Sequence, residues 1–166
     1  MLIYTSILER TKNKIKLYRK YFDKVKKQKY IDLDQQFYDT HQTVFKKIDC
    51  LLCANCCKNI SPIVTISDIK KIAKNLKIKE NNLIDQYLIL DEDEDYIFKQ
   101  TPCPFLDKQN YCSIYEFRPN ACKEYPHTDR KKIRQIIDIT IKNIEYCPAV
   151  AEICDYIYNK SEENKK

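Results

Sequence analysis

Four of the nine cysteines of this 166-residue chain lie within eight residues, at Cys50, Cys53, Cys56 and Cys57, with the spacing CxxCxxCC. A metal ion or an iron-sulfur cluster needs several thiolates that converge within a few ångströms, and a CxxC turn supplies two of them from one loop. Cysteines distant in sequence then complete the coordination and tie the loop to the rest of the fold. We therefore predict a metal site whose ligands come from the eight cysteines Cys50, Cys53, Cys56, Cys57, Cys103, Cys112, Cys122 and Cys147.

The alternative chemistry for so many cysteines is a disulfide framework, which is typical of short secreted chains. The first twenty residues argue against it, because they carry seven charged side chains and lack both the apolar segment and the small-residue cleavage site of a secretory signal. No later segment approaches the roughly 18 apolar residues of a membrane span. We expect a cytoplasmic protein, in which reduced thiols are available to bind metal.

The excess of positive charge lies entirely near the N-terminus. Residues 1–49 hold twelve Lys or Arg and six Asp or Glu, whereas residues 50–166 hold eighteen of each, and the net charge is +6. A basic helical segment could contact nucleic acid, an anionic membrane or an acidic partner. We favour a solvated helix face, because the chain has no compact basic run interleaved with aromatic residues, and we do not expect nucleic acid as a partner.

Helical periodicity dominates the sequence outside the cysteine motifs. Thr65 or Ser67 can cap one of the helices, and Pro148 suits the first turn of the last one. The apolar stripes that predict helices lie at 4–25, 33–48, 69–76, 83–88, 133–141 and 150–157.

A small β-hairpin is expected among the later cysteines. Its best strand is 96–98, after an acidic loop at 91–95, and the predicted partner is 111–115. The predicted fold class is mainly α with a small β-hairpin, in an irregular, cysteine-rich, metal-centred single domain. The predicted divisions are a basic amphipathic helical segment packed on the core at 1–44, a cysteine-cluster metal-binding domain at 45–160 and a frayed tail at 161–166.

Three segments in this order resemble a known family: CLLCANCC at 50–57, CPFL at 103–106 and CSIYEFRPNACKEYP at 112–126. They resemble the bacterial cysteine-cluster family called CxxCxxCC or YkgJ-like, over about residues 45–155. The resemblance implies a zinc- or iron-chelating, or an iron-sulfur-cluster-containing, protein. A flagellin lysine methylase is similar to this family in its cysteine pattern, although nothing in the sequence marks a methyl-donor pocket.

The cysteine spacing fits neither of the two common metal-site templates completely. CxxCxxC resembles the start of the bacterial ferredoxin motif, but here the next cysteine follows at once rather than after three residues. Zinc ribbons use two separated CxxC pairs, and the later cysteines supply no second pair. Neighbouring side chains diverge by about 100° on a helix, so Cys56 and Cys57 are not expected to bind the same ion. The eight thiols suffice for one site or for two.

Four further side chains are candidates for the surroundings of the metal ligands. Arg118 either donates hydrogen bonds to sulfur or carboxylate, which would favour thiolates, or pins its loop through backbone carbonyls. Tyr115 and Tyr125 are expected to pack rather than to donate protons, and His127 is expected to form hydrogen bonds rather than to bind metal. Cys154 is in phase with the apolar residues of the last helix, so we expect it in the core.

The chain contains no glycine and therefore no P-loop or dinucleotide motif, and it lacks HExxH and GxSxG, so no residue is assigned a catalytic role. Three functions remain open. The first is an iron-sulfur or iron protein with a redox or metal-handling role and a redox or metal-transfer protein as partner. The second is a structural zinc module that mediates protein or nucleic-acid interaction. The third is a protein-modifying, methylase-like enzyme.

Overall fold

The structure is a computed structural model that describes residues 2–163. It is 60% helical with one two-stranded antiparallel sheet, which confirms the mainly α fold class with a small hairpin. The α-helices of the described residues are α1 (Leu2–Lys12), α2 (Ile15–Val25), α3 (Leu33–Val44), α4 (Cys50–Cys53), α5 (Asn55–Asn59), α6 (Ile66–Leu76), α7 (Glu80–Tyr87), α8 (Asn120–Glu124), α9 (Ile137–Asn143) and α10 (Pro148–Glu163). The strands are β1 (Leu88–Leu90) and β2 (Tyr96–Phe98), and short 3-10 helices span Tyr115–Phe117 and Ile133–Ile136.

The chain divides into two compact units. Unit 1 combines the residues up to Cys53 with those from Pro126 onward, and unit 2 is Ala54–Tyr125. The division therefore falls inside the CxxCxxCC motif, between Cys53 and Ala54. At this position Ala54 adopts a left-handed conformation with φ 47°, which ends α4 and starts α5 in a chain without glycine.

The N-terminal stripe predicted as a single helix from residue 4 to 25 is two helices in the structure. The chain leaves helical geometry between α1 and α2, where the Lys14 amide donates to the carbonyl of Thr11 at 2.9 Å. The Thr11 hydroxyl also bonds back to the carbonyl of Ile7 at 2.9 Å, a contact that tends to bend helices. Asn13, at the break, is a weak helix former. The spacing of the apolar residues does not reveal the break, because it continues across Asn13.

Unit 1 is built around its last helix. Helices α1, α2, α3 and α9 all pack on α10, whose buried positions include Val150, Ile153, Cys154 and Ile157. Cys154 is fully buried there. The helix continues through Glu163, so the predicted frayed tail is helical over its first three residues, and residues 164–166 lie outside the described part. Across residues 2–163, every helix is either too short or too polar to traverse a lipid bilayer.

The core of unit 2 is built around α6. Thr65 caps this helix, as predicted, in a capping box with Asp68: each side chain accepts a hydrogen bond from the other residue's backbone amide. Helices α6 and α7 and the hairpin enclose one apolar cluster, and Cys103 and Cys112 pack against its edge. The buried members of the cluster are Val64, Ile69, Ile72, Ala73, Leu83, Leu88, Phe98, Phe105 and Ile114.

The partner predicted for β2 was wrong. β2 pairs with β1, with Leu88 opposite Phe98 and Leu90 opposite Tyr96, and not with residues 111–115. The acidic loop at 91–95 is confirmed, and it closes this hairpin. A five-residue loop costs less chain entropy than the closure of β2 onto residues 111–115, which lie further along the chain. Leu88, predicted at the end of a helix, begins the strand instead.

Candidate metal centre

The eight candidate cysteines fall into two sets according to the unit that carries them. Unit 1 holds Cys50, Cys53 and Cys147. Unit 2 holds Cys56, Cys57, Cys103, Cys112 and Cys122. All nine cysteines lie within residues 2–163, and none of them forms a disulfide there.

In unit 2, backbone hydrogen bonds bring the end of the CxxCxxCC motif to the Cys-Pro turn. The amide of Cys103 donates to the carbonyl of Cys57 at 2.9 Å. Cys56 and Cys57 lie next to each other on α5, and their Sγ atoms are 4.0 Å apart. Cys57 is thus the member of the motif that is fixed against Cys103.

A tight turn places Cys112 beside the same site. Leu106 forms an isolated antiparallel bridge with Cys112, and its amide donates to the carbonyl of Cys103 at 3.0 Å. The Asp107 carboxylate closes the turn by accepting hydrogen bonds from the amides of Gln109 and Tyr111, both at 2.8 Å. Residues 103–112 therefore form a compact loop with a cysteine at each end.

Cys122 enters the site from α8. Pro119 precedes this helix, and the Cys122 amide donates to the Pro119 carbonyl at 3.0 Å. The preceding segment is held from α6, because the buried carboxylate of Asp68 accepts the Asn120 amide at 3.1 Å. Lys71 adds a hydrogen bond to the Arg118 carbonyl at 3.0 Å.

The thiols of unit 2 are close enough to influence one another's protonation. Burial, together with the charges of Cys57 and Cys112, raises the pKa of the Cys103 thiol to about 11. Burial, and then the charges of Cys57, Cys103 and Cys112, raise the pKa of the Cys122 thiol to about 12. Burial also raises the pKa of Cys112, with a further contribution from Cys57. Four thiols, Cys57, Cys103, Cys112 and Cys122, therefore form one interacting group.

Cys57 differs from the other three. A hydrogen bond from the Cys56 thiol, helped by the positive charges of Arg118 and Lys58, lowers the pKa of Cys57 to about 7 although burial opposes this. At neutral pH this thiol is therefore the member of the group most readily converted to thiolate. Thiolate is the form that binds metal.

Arg118 forms a hydrogen bond with a backbone carbonyl of its own loop, and its charge acts on the neighbouring thiols. Its guanidinium group lies over the ring of Tyr115, 3.7 Å from the ring centroid, and donates to the backbone carbonyl of the same residue. Its charge also lowers the pKa values of Cys57, Cys112 and Cys122. Tyr115 is 45% exposed, so its ring supports the guanidinium group at the surface rather than filling the core.

In unit 1, Cys147 lies immediately before α10 and is only 8% exposed. Burial raises the pKa of its thiol to about 12, the backbone amides of Val150 and Ala149 donate hydrogen bonds to it, and the charges of Cys50 and Cys53 act on it. Cys50 and Cys53 lie at the two ends of α4, where a separation of three residues puts them on one face. These three thiols form the second group.

The other predicted residues are distributed between the units. Tyr125 follows α8 in unit 2 and is half-buried, with its amide bonded to the Ala121 carbonyl at 3.1 Å. His127 belongs to unit 1, where it is half-buried and has a left-handed backbone with φ 62°.

Asp68 and Lys71 were missed by the sequence reasoning. The pattern Thr65-x-x-Asp68 identifies the capping box, but it carries no sign of the contact with Asn120, 52 residues away. The capping box was the only available signal for Asp68.

The chemistry of both thiol groups fits zinc or iron, since thiolate sulfur is a preferred ligand of both metals. Backbone amides that donate to sulfur, as at Cys103 from Phe105 and Leu106 and at Cys147, stabilise bound thiolates. Among residues 2–163, no three Cys, His, Asp or Glu side chains lie in positions where they could hold a metal ion together.

Comparison with known proteins agrees with this donor chemistry. The model of a family named CxxCxxCC, described as a "Putative zinc- or iron-chelating domain", matches residues 49–155. The chain is similar to the uncharacterized protein MJ0661 of Methanocaldococcus jannaschii, with 34% identity over 82 residues, which are 48% of this chain and 44% of that protein. The chain thus matches less than half the length of that curated relative. No solved structure matches the chain.

Proposed function

The chain belongs to the CxxCxxCC family and is a metal-binding protein, and on that premise we propose that its thiols hold an iron-sulfur cluster or iron in a redox or metal-handling role. The observation that carries the proposal is the interacting group of Cys57, Cys103, Cys112 and Cys122. Four cysteine thiolates are the usual ligand set of a [4Fe-4S] or [2Fe-2S] cluster. A bound cluster would supply one-electron chemistry.

The electrostatic surroundings of this group support a thiolate-bound metal. Four thiolates around such a cluster leave a net negative charge that must be offset where the site is partly buried. Arg118 and Lys58 supply positive charge, and the amides of Phe105, Leu106 and Ile114 donate to cysteine sulfur. Charge and hydrogen bonds to sulfur are among the features by which proteins set the potential of such a cluster.

The partial exposure of the ligands supports exchange with a protein partner. Cys57, Cys103, Cys112 and Cys122 are all half-buried rather than enclosed. A redox or metal-transfer protein can therefore approach the site. A metal with a purely structural role would not need such access. We propose a partner of that class.

A structural zinc site is the second candidate, and the small core of unit 2 favours it. Its buried apolar cluster contains nine side chains, and Cys103 and Cys112 pack against that cluster. Cores of this size often depend on a metal for stability. Zinc bound by the same four thiols would connect α5, the Cys-Pro turn and α8, and its binding energy would become folding energy.

The test is anaerobic purification of the full chain without added metal, followed by measurement of iron, zinc and acid-labile sulfide per chain and of the visible spectrum. Cys103→Ala removes a proposed ligand. Cys154→Ala is the matched control, because Cys154 is a fully buried cysteine of the α10 core. We expect iron with matching sulfide, lost in Cys103→Ala and retained in Cys154→Ala.

Zinc without iron, lost in the same variant, would replace the redox proposal by the structural one. Loss of metal from Cys154→Ala to the same extent as from Cys103→Ala, with both variants folded by circular dichroism, would contradict the assignment of ligands.

A further inference from the structure

The outer face of the hairpin in unit 2 carries a row of three isoleucines, the isoleucine strip. Ile89 on β1 lies opposite Ile97 on β2, and Ile97 also forms a bridge with Ile63 on the other side of β2. Leu88 and Phe98, the next pair along the hairpin, are buried in the core, so the isoleucine pair points to the opposite face of the sheet. Ile89 is 52% exposed and Ile63 is 46% exposed, and the strip is therefore an apolar surface in contact with solvent.

The loop that closes this hairpin is strongly acidic. All five residues at 91–95 are Asp or Glu, and none of their carboxylates forms an ion pair with any residue in the described range 2–163. The Asp91 carboxylate shapes the loop by accepting hydrogen bonds from the amides of Asp93 and Asp95, at 3.0 Å and 2.9 Å. A molecule that covers the isoleucine strip would therefore bind better if it also carried positive charge.

The complementary chemistry lies on α2 of unit 1. The buried residues of this helix are Tyr18, Phe22 and Val25. Lys16, Lys20 and Lys24 follow one another at intervals of four residues on the opposite side, and all three are exposed. Leu17 lies beside this row of lysines and is 49% exposed. This basic face of α2 thus combines cations with an apolar side chain, as the hairpin combines anions with the isoleucine strip.

The charges of the two units differ in the same sense. Residues 54–125 hold ten Lys or Arg and eleven Asp or Glu, whereas the rest of the chain holds twenty Lys or Arg and thirteen Asp or Glu. Unit 2 therefore has a net charge of −1 and unit 1 of +7, which together give the +6 of the chain. Surfaces of opposite charge on one chain favour a contact between unlike surfaces of two copies.

We propose that the acidic hairpin of one copy of this chain binds the basic face of α2 in a second copy. The isoleucine strip covers Leu17, and the carboxylates of Glu92 and Asp93 face Lys16 and Lys20. Burial of the strip removes apolar surface from water, and the charges select the orientation. Because the two surfaces differ, the contact is heterologous and can be repeated from copy to copy.

The test measures the mass of the full chain by analytical ultracentrifugation at a series of protein concentrations, at about 0.05 M and about 0.5 M salt. Glu92→Lys/Asp93→Lys reverses two exposed charges of the loop and keeps Asp91, which shapes it. Lys16→Glu/Lys20→Glu reverses two exposed charges of α2. An equimolar mixture of these two variants is measured as well.

Two further variants separate the contact from general effects. Lys46→Glu/Lys47→Glu changes the net charge as much as the α2 variant does, at two exposed positions after α3, and is the matched control. Ile89→Thr reduces the apolar surface of the strip and keeps a β-branched residue that suits a strand. Circular dichroism establishes that each variant is folded.

We expect the wild type to associate as its concentration rises, and to do so more weakly at the higher salt concentration. Each charge-reversed variant should associate about tenfold more weakly or less, and Ile89→Thr should also weaken association. The mixture of the two charge-reversed variants should associate again, because each supplies a surface whose sign matches that of the other. The Lys46→Glu/Lys47→Glu control should associate at least as strongly as the wild type.

A wild-type chain that remains monomeric at every concentration would overturn the proposal, since the hairpin would then need a different basic protein as its occupant. Association that persists in both charge-reversed variants, or that the control loses to the same extent as the α2 variant, would overturn it too. The contact uses no cysteine, so the metal content should be equal in all variants, and failure here would leave the proposed function intact.

Discussion

The buried carboxylate of Asp68 accepts a hydrogen bond from the backbone amide of Asn120 at 3.1 Å, across 52 residues of sequence. The same carboxylate completes the capping box of α6 with Thr65 and accepts a hydrogen bond from Lys71 at 2.8 Å. Only 1% of Asp68 is exposed, so these hydrogen bonds take the place of those that water would form with the carboxylate in the unfolded chain. One side chain thus fixes both the start of α6 and the segment that leads into Cys122.

We expect Asp68→Asn to lower the free energy of unfolding by about 1–3 kcal/mol, because the amide cannot reproduce the charge-assisted contacts with Lys71 and with the two backbone amides. Urea denaturation checks the value. Asp85→Asn, an exposed change on α7, is the matched control and should remain within about 0.5 kcal/mol of the wild type. Equal effects of the two substitutions would show that the contacts of Asp68 contribute nothing specific.

Asp155 should make unit 1 sensitive to acid. Its side chain is 10% exposed and accepts hydrogen bonds from the Tyr18 hydroxyl at 2.6 Å and from Lys14 at 3.0 Å. Burial alone would raise the pKa of Asp155, but these bonds and the charges of Lys14 and Arg10 outweigh it and hold the pKa below its ordinary value. The folded state therefore releases this proton more readily than the unfolded state.

This contribution to stability is present above the unfolded carboxyl pKa of about 4, and it disappears as the pH falls below that value. We expect Asp155→Asn to be about 1–3 kcal/mol less stable than the wild type at pH 7, and the difference to shrink at about pH 3. Denaturation at both pH values measures it, with Glu145→Gln as an exposed control. A difference that stays constant with pH would show that the ionised carboxylate is not the stabilising form.

The absence of glycine leaves a correctable strain at the end of α6. Lys77 adopts a left-handed conformation with φ 56°. The amides of Lys77 and Ile78 donate to the carbonyls of Lys74 and Ala73, which is a Schellman motif. Glycine is the residue usually found at this position, because it has no Cβ to oppose positive φ.

We expect Lys77→Gly to raise the free energy of unfolding by about 0.5–1 kcal/mol, since the left-handed backbone then costs nothing. Lys70→Gly, an exposed position inside the same helix, should lower it by about 1 kcal/mol. Thermal or urea unfolding of the two variants distinguishes a gain that depends on conformation from a general effect of glycine. Destabilisation by both would be incompatible with strain at Lys77.

Structural elements that depend only on neighbouring residues could be predicted from local signals in the sequence. The Thr65 cap and the start of α10 at Pro148 could be predicted because capping and the fixed φ of proline act within one turn. The division of the cysteines between the two units could not be predicted, because spacing along the chain does not determine which unit each cysteine joins.

Contacts between distant segments could not be predicted from periodicity. Arg134 donates to backbone carbonyls of Val25, Lys26, Gln28 and Ile31, more than 100 residues earlier, and so satisfies the end of α2 and the turn after it. Such a contact follows from the fold rather than from a local pattern. The predicted strand partner of β2 was wrong for a different reason. Residues 111–115 lie among the later cysteines, but the loop that joins β1 to β2 is shorter than the one that would join β2 to residues 111–115.

Arg118 provides a test of the iron-sulfur cluster proposed for the thiols of unit 2. Its charge acts on Cys57, Cys112 and Cys122, and a reduced cluster carries one more negative charge than an oxidised one. A nearby cation therefore favours reduction.

We expect Arg118→Gln to shift the reduction potential of the anaerobically purified protein to a more negative value, while Arg118→Lys, which keeps the charge, stays closer to the wild type. A potentiometric titration followed by electron paramagnetic resonance measures both. A potential that is the same in all three proteins would show that Arg118 only supports its loop through Tyr115.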